Sequence, residues 1–261
     1  MNDTGSAPPP ADALAIRGLS KTYGSFQAVK SIDLSVGAGR VFGFLGPNGA
    51  GKTTTIKIIG GLIAPTAGAV SICGRDLMRD PIGAKSIMGF VPDRPFLYEK
   101  LTGIEHLKFV SDLFGMNGAE FDRRAAELLA LFELSEWGNQ LIENYSHGMK
   151  QRLVMASALL HRPRLLVVDE PMVGLDPKGA KMVKEIFRLI AHRQGAAVFM
   201  STHTMAVAEE VCDEVVIINE GSIVARGTVA DLRTSGGGAD LEDVFLKLTG
   251  TDETVPIETV L

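Results

Sequence analysis

Two periodicities divide the chain. Short apolar runs bounded by glycine and polar residues predict strands at Ala13–Ile16, Val29–Val36, Val41–Leu45, Ala69–Cys73, Ile87–Val91, Leu165–Val168, Ala196–Met200, Val215–Asn219 and Ser222–Ala225. Glu220 and Gly221, between the last two, predict a hairpin. Helical spacing appears elsewhere. Phe121, Ala125, Leu128, Leu129 and Phe132 recur at i, i+4, i+7, i+8 and i+11, and Val183, Ile186, Phe187 and Ile190 at i, i+3, i+4 and i+7. Each set draws an apolar stripe along one helix face. Thr102 and Glu105 read as a capping box opening a helix through about Phe114. Asp176 and Pro177 supply an N-cap and a first-turn proline for the helix carrying Val183. From about Phe96 to Leu160 no strand is predicted, while the flanking segments alternate strand and helix. This pattern predicts an α/β core interrupted by an inserted helical lobe. The strands before Val41 have no helix between them and are expected to be antiparallel.

Composition narrows the class. The chain has 261 residues, 46% hydrophobic and 22% charged, ordinary for a globular protein. Its two cysteines, Cys73 and Cys212, are far apart, so neither a disulfide scaffold nor a cysteine zinc site is expected. The formal net charge of −5 speaks against a nucleic-acid binder. No run reaches the ~20 apolar residues of a membrane span, and no signal-peptide pattern opens the chain. A link to a membrane therefore has to run through a partner. Residues 1–11 and 251–261 read as loosely held tails around one domain, 12–250, with its helical subdomain at about 94–160. Glycine is over-represented, 29 residues of 261, which directs attention to special turns.

The most informative of these turns is Gly46, Pro47, Asn48, Gly49, Ala50, Gly51, Lys52 and Thr53, followed by Thr54. It has the spacing GxxxxGK[ST], after a predicted strand and before a helical stretch, the context that a phosphate-binding loop requires. Glycines let successive amides turn inward around phosphate oxygens, and the helix N-terminus adds partial positive charge. Lys52 is expected to reach the β- and γ-phosphates, and the Thr53 hydroxyl to bind Mg²⁺. Leu165 to Val168 run into Asp169 and Glu170. In an open α/β sheet, ligands collect at strand C-termini. Asp169 is expected to hold Mg²⁺, and Glu170 to orient or deprotonate the attacking water.

Further residues carry a family resemblance. Asn144 to Arg152, with Ser146 and Gly148, resembles the signature motif of the nucleotide-binding subunits of ABC transporters. Gly174 to Pro177 resembles the family's D-loop, His203 its switch histidine, and Met88 to Asp93 its Q-loop; Tyr23 sits where the family stacks an aromatic on adenine. The elements occur in family order from about Leu14 to Gly250. The phrases at 145–152 and 241–248 resemble the drug-export-like branch. The resemblance implies a P-loop NTPase (RecA-like) α/β core with an N-terminal antiparallel β subdomain and an inserted α-helical subdomain. It also implies two such domains facing head to tail. Each ATP then lies between one chain's phosphate loop and the other chain's Ser146, Gly148 and Asp176. The expected partners are a second ATP-binding subunit and an integral-membrane permease subunit on the inner face of the cell membrane, where this chain would be cytoplasmic and peripheral.

The chain departs from the family at three positions. Asp93 stands for the Q-loop glutamine, His147 for the signature's first internal glycine, and Met149 for its usual glutamine. Asp93 is expected to contact Mg²⁺, directly or through a water, in place of the amide; the alternative is that it only caps or turns the loop between Pro92 and Pro95. Two other functions fit parts of the pattern: a soluble ABC-type ATPase, or a nucleotide-gated module with little turnover. Plainer roles are expected for Lys178, Lys181 and Lys184, as a solvated helix face, and for His161 to Arg164, as a basic turn.

Overall fold

The computed structural model describes residues 12–235 and 240–250; the two expected tails, 1–11 and 251–261, lie outside them. The first strands, β1 (Leu14–Tyr23) and β2 (Phe26–Val36), form an antiparallel pair with Leu14 opposite Val36. The next strand, β3 (Val41–Leu45), belongs to a different sheet and runs into α1 (Lys52–Ile59). The chain then returns as β4 (Ala67–Ile72) and β5 (Arg75–Asp76), completing a four-stranded antiparallel sheet in the order β2-β1-β4-β5. A short α2 (Pro81–Lys85) leads to β6 (Met88–Val91). The helical segment follows: α3 (Gly103–Leu113), α4 (Gly118–Leu131), 3₁₀ turns at Ser135–Trp137 and Ile142–Asn144, and α5 (His147–Leu159). Then come β7 (Leu165–Asp169), α6 (Pro177–Gln194), β8 (Ala197–Thr202), α7 (Met205–Val211), β9 (Glu214–Asn219), β10 (Ser222–Gly227), α8 (Val229–Ser235) and α9 (Leu241–Thr249).

The second sheet has the order β10-β9-β3-β8-β7-β6. It is parallel except for the β9–β10 hairpin, whose turn holds Glu220 and Gly221 at positive φ. Every residue of β3, β7 and β8 is buried, as expected for strands covered on both faces. Alternation divides the two cores. Val41, Leu166, Val168, Val198 and Met200 face the helical segment and α6. Phe42, Phe44, Leu165, Val167 and Phe199 face α1 and the antiparallel sheet, and Phe42 stacks on Phe199 at 5.8 Å. Because β8 lies between β3 and β7, the phosphate loop, Asp169 and His203 leave the sheet at three neighbouring C-terminal ends.

The expected elements recur with shifted ends. β1 runs to Tyr23 rather than Ile16, because register shifts carry its polar half between two partner strands. β8 includes Ser201 and Thr202, both buried, and β5 is a two-residue polar strand that periodicity does not detect. The capping box at Thr102 and Glu105 forms, as does the Asp176 cap with Pro177 in the first turn. Two expectations about surface charge need correction. Arg162 and Arg164 are exposed, but the His161 ring packs on Phe114 with Nε2 3.1 Å from the Met88 carbonyl. Burial pushes its pKa down to about 4, so at neutral pH it is an uncharged packing residue. On α6, Lys178 and Lys181 are exposed as expected, Lys178 also pairing with Glu133 at 2.6 Å, but Lys184 is only 18% exposed and pairs with Glu210 at 2.5 Å. That face of α6 is therefore partly engaged with its neighbours.

Candidate functional site

The phosphate loop is shaped by what surrounds it. Gly51 has φ of 105°, and a Cβ there would lie 2.5 Å from the Ala28 carbonyl of β2; a Cβ on Gly46 would collide with the Ile218 carbonyl of β9. Backbone from two strands closes on the loop and leaves no room for side chains. Pro47, Asn48 and Gly49 form its more open crest, whereas Ala50 is buried and donates its amide to the Pro47 carbonyl. The first turn of α1 has no side-chain cap, so its free amides suit an anion. Thr53 is exposed beside Thr54 in that turn, while Thr55 is buried and bonds back to the Gly51 carbonyl.

Lys52 is 7% exposed, and its ammonium donates to the carbonyls of Gly46 at 2.6 Å and Pro47 at 3.1 Å. Burial lowers its pKa; the carboxylates of Glu170 and Asp169 oppose that shift. A cation so enclosed, with only carbonyls as direct partners, is suited to a polyanion.

The carboxylates of Asp169 and Glu170 act on it from the end of β7, and Asp93 lies close to Asp169. Asp169 is 4% exposed and accepts from the Ser201 hydroxyl of β8. Its carboxyl is pushed up chiefly by burial; Ser201 lowers it, Asp93 and Glu170 raise it, and Lys52 lowers it. Asp93, exposed in the loop after β6, thus lies close enough for its charge to be felt at Asp169. Glu170 steps off β7 with φ of 48°, a conformation that costs a residue with a Cβ on the order of 1 kcal/mol. Its amide donates to Ser201 Oγ at 3.2 Å, and its carboxylate lies 2.9 Å from His203 Nδ1. Ser201 therefore ties both acidic residues to β8. Its only signal in the sequence is a hydroxyl pair, Ser201 and Thr202, ending an otherwise apolar strand.

Asp93 and Glu170 both raise the pKa of the buried Asp169 carboxyl, a concentration of negative charge that suits a divalent cation. Among the described residues no three His, Cys, Asp or Glu side chains form a ready-made metal cage. Asp169 and the Thr53 hydroxyl are hard oxygen donors of the kind that Mg²⁺ takes alongside phosphate and water.

The remaining candidates lie elsewhere. Tyr23 ends β1, 48% exposed, with Lys21 Nζ 5.0 Å from its ring centroid. Ser146 caps α5 by accepting from the Met149 amide at 3.3 Å, and Asp176 caps α6 by accepting from Gly179 at 2.9 Å. Among the described residues no hydrogen bond or ion pair joins Ser146, Gly148 or Asp176 to Lys52, Asp169 or Glu170. Within one chain, then, the signature and D-loop segments form a separate face. A further feature lies where the loop after β6 meets the helical segment. Phe90, Phe96, His106, Val110, Phe114 and His161 help line an apolar groove of about 400 Å³, and Phe96 at its rim is 81% exposed.

The chain's relatives agree with this arrangement. The family described as ABC transporter matches residues 29–173. The linearmycin resistance ATP-binding protein LnrL of Bacillus subtilis (strain 168) is 38% identical over 236 residues, which cover 90% of this chain and 74% of that one. The solved structure of an ATP binding subunit of an ABC transporter superposes with a TM-score of 0.85 at 36% identity, covering 90% of this chain and 99% of the other. A dimeric ATP-binding cassette in a post-hydrolysis state, bound to ADP and Pi, superposes with a TM-score of 0.76 at 26% identity, covering 82% and 98%. No helix among the described residues is long and apolar enough to cross a membrane. The chain belongs to the ABC transporter family as an ATP-binding, ATP-hydrolysing domain.

Proposed function

We propose that this ATPase dimerises around ATP and drives a separate integral-membrane subunit, as an exporter. The observation that carries the reading is the convergence of the enclosed Lys52 with Asp169, Glu170 and His203 at three adjacent strand ends. Loop amides and the α1 N-terminus hold the phosphates, Lys52 turns from the loop carbonyls to the β- and γ-phosphates, and Tyr23 stacks on adenine. Thr53 and Asp169, with Asp93, hold Mg²⁺. When bound, Mg²⁺ neutralises charge on the phosphate oxygens. Glu170 takes a proton from water as the water oxygen bonds to the γ-phosphorus; the bond to the bridging oxygen breaks, and ADP leaves with the electron pair. His203 holds the Glu170 carboxylate in place. A second copy, or a related chain, supplies Ser146, Gly148 and Asp176 to complete each site.

The permease docks in the groove behind Phe96. Large apolar side chains at its rim, with Leu113 69% exposed and Leu62 59%, support a protein partner. The position of the groove, directly after the Asp93 loop, supports coupling of docking to the metal-side carboxylate. Export is supported by the resistance function named for the linearmycin relative.

The test is Glu170→Gln. The amide keeps the shape but cannot take a proton, so turnover should fall about 10²–10⁴-fold. ATP should then trap a dimer on size exclusion. A variant that hydrolyses ATP at the wild-type rate removes Glu170 from the role of base. Copurification of a spanning protein from solubilised membranes tests the permease.

A further inference from the structure

The signature segment departs from its family at His147, and the fold gives that departure a counterpart. His147 is the first residue of α5, directly after the Ser146 cap. The residue is exposed, but one edge of its ring is turned onto the protein. A Cβ built on Gly174 would overlap His147 Cδ2 and Nε2, so the imidazole lies directly against the Gly174 backbone. Gly174 has φ of 78° and stands between Glu170 and Asp176. The adjacent Gly148 also faces this segment: a Cβ there would lie 3.5 Å from the Gly174 carbonyl and 4.0 Å from Leu175 Cδ2. A second tie joins α5 to α6, the helix that follows this segment. Glu133 receives Arg152 of α5 at 3.3 Å and Lys178 of α6 at 2.6 Å. These ion pairs are exposed and add little by themselves.

We infer that His147 is a positioning residue: its imidazole locks the 170–176 segment to the N-terminus of α5, so that Ser146 and Asp176 are presented to a second copy as one rigid face. Glycine at 147 would leave the two segments free to shift against each other. Here the ring fills that space, and Gly174 is the complementary position that makes room for it. The lock also lies four residues from Glu170, so it limits how far the segment carrying the base can move. The inference rests on the proposed head-to-tail dimer.

The experiment is a double-mutant cycle in the Glu170→Gln background, reading ATP-induced dimerisation by size exclusion and ATP binding to the monomer by calorimetry. Thermal unfolding confirms that each variant is folded. His147→Gly should weaken dimerisation at least about fivefold while monomer ATP affinity stays unchanged. His147→Phe, which keeps a flat ring, should retain most of the dimer. Gly174→Ala should be damaging beside His147 and at least about threefold less so beside His147→Gly, because the methyl then meets no ring. Wild-type dimerisation of His147→Gly, or equal damage by Gly174→Ala in both backgrounds, overturns the lock. Lys52→Ala separates this from the site reading. If Lys52→Ala binds ATP normally, the nucleotide site is misassigned. If it loses ATP while His147→Gly dimerises normally, only the lock is wrong.

Discussion

The ends of β3, β7 and β8 and the groove behind Phe96 are built on opposite physics. At the strand ends, charge is concentrated and enclosed: Lys52 is 7% exposed, Asp169 is 4% exposed, and backbone closes on the loop at Gly46 and Gly51. On the proposed reading, the rearrangement needed there is that of the Lys52 ammonium, which leaves the Gly46 and Pro47 carbonyls for phosphate. In the groove, apolar surface is exposed, and the polar atoms are the hidden ones. Nδ1 of both His106 and His161 is buried without a partner, and burial lowers the pKa of both rings. The first region is prepared for a polyanion, the second for a protein surface. Asp93 lies between them, in the loop that leaves β6 beside Asp169 and leads to Phe96.

The comparison can be broken at either end. The largest effect is expected at the charged end. Lys52→Ala should weaken ATP binding about 100-fold, since a charge-assisted contact to a polyanion is lost from an enclosed site. Calorimetry with ATP reads it, and unchanged affinity would show that the enclosed ammonium serves only the loop. At the apolar end, Phe96→Asp should reduce capture of the membrane partner about tenfold or more by placing a charge on the docking surface. ATP hydrolysis by the isolated subunit should remain. If turnover falls without loss of capture, the groove is part of the nucleotide site after all.

A smaller effect tests the buried imidazole. The folded-state pKa of His161, about 4, lies below its ordinary 6.5. Protons therefore favour the unfolded chain between these values: stability is held above about pH 6.5 and falls as pH drops toward 4. Between pH 7 and pH 5.5 His161 should account for about 1 kcal/mol of lost stability. His161→Phe should remove that part of the slope in urea unfolding at the two pH values. An identical slope would mean that the ring is not held neutral. The smallest effect belongs to the residue between the regions. Asp93→Asn removes charge and almost no volume, and should raise the Mg²⁺ concentration for half-maximal ATPase by about two- to threefold. Superimposable Mg²⁺ curves would leave Asp93 as a loop residue only.

The two regions also differ in how far the sequence discloses them. The phosphate loop is written in consecutive residues, because tight backbone closure admits glycine and little else, and its lysine must follow at fixed spacing. Strands β3, β7 and β8 were readable as apolar runs because sheets covered on both faces demand them. The caps at Thr102, Ser146 and Asp176 are equally local. Ser201 was not readable as a site residue, because its hydroxyl gains meaning only when β8 pairs beside β7 and brings it to Asp169 and Glu170. His161 misled for the same reason. Beside Arg162 and Arg164 it reads as part of a basic turn, whereas packing against Phe114, far away in sequence, makes it a neutral ring.

What the sequence determined alone is therefore what short-range chemistry dictates: element type, caps, the phosphate loop, the family and its order of motifs. Only the tertiary structure decided which side chains meet. It set β8 between β3 and β7, joined Glu170 to His203, turned His147 onto Gly174, and opened the groove behind Phe96. The physical reason is that backbone geometry and periodicity act over a few residues, whereas charge, burial and packing act through space between residues that may stand more than a hundred positions apart.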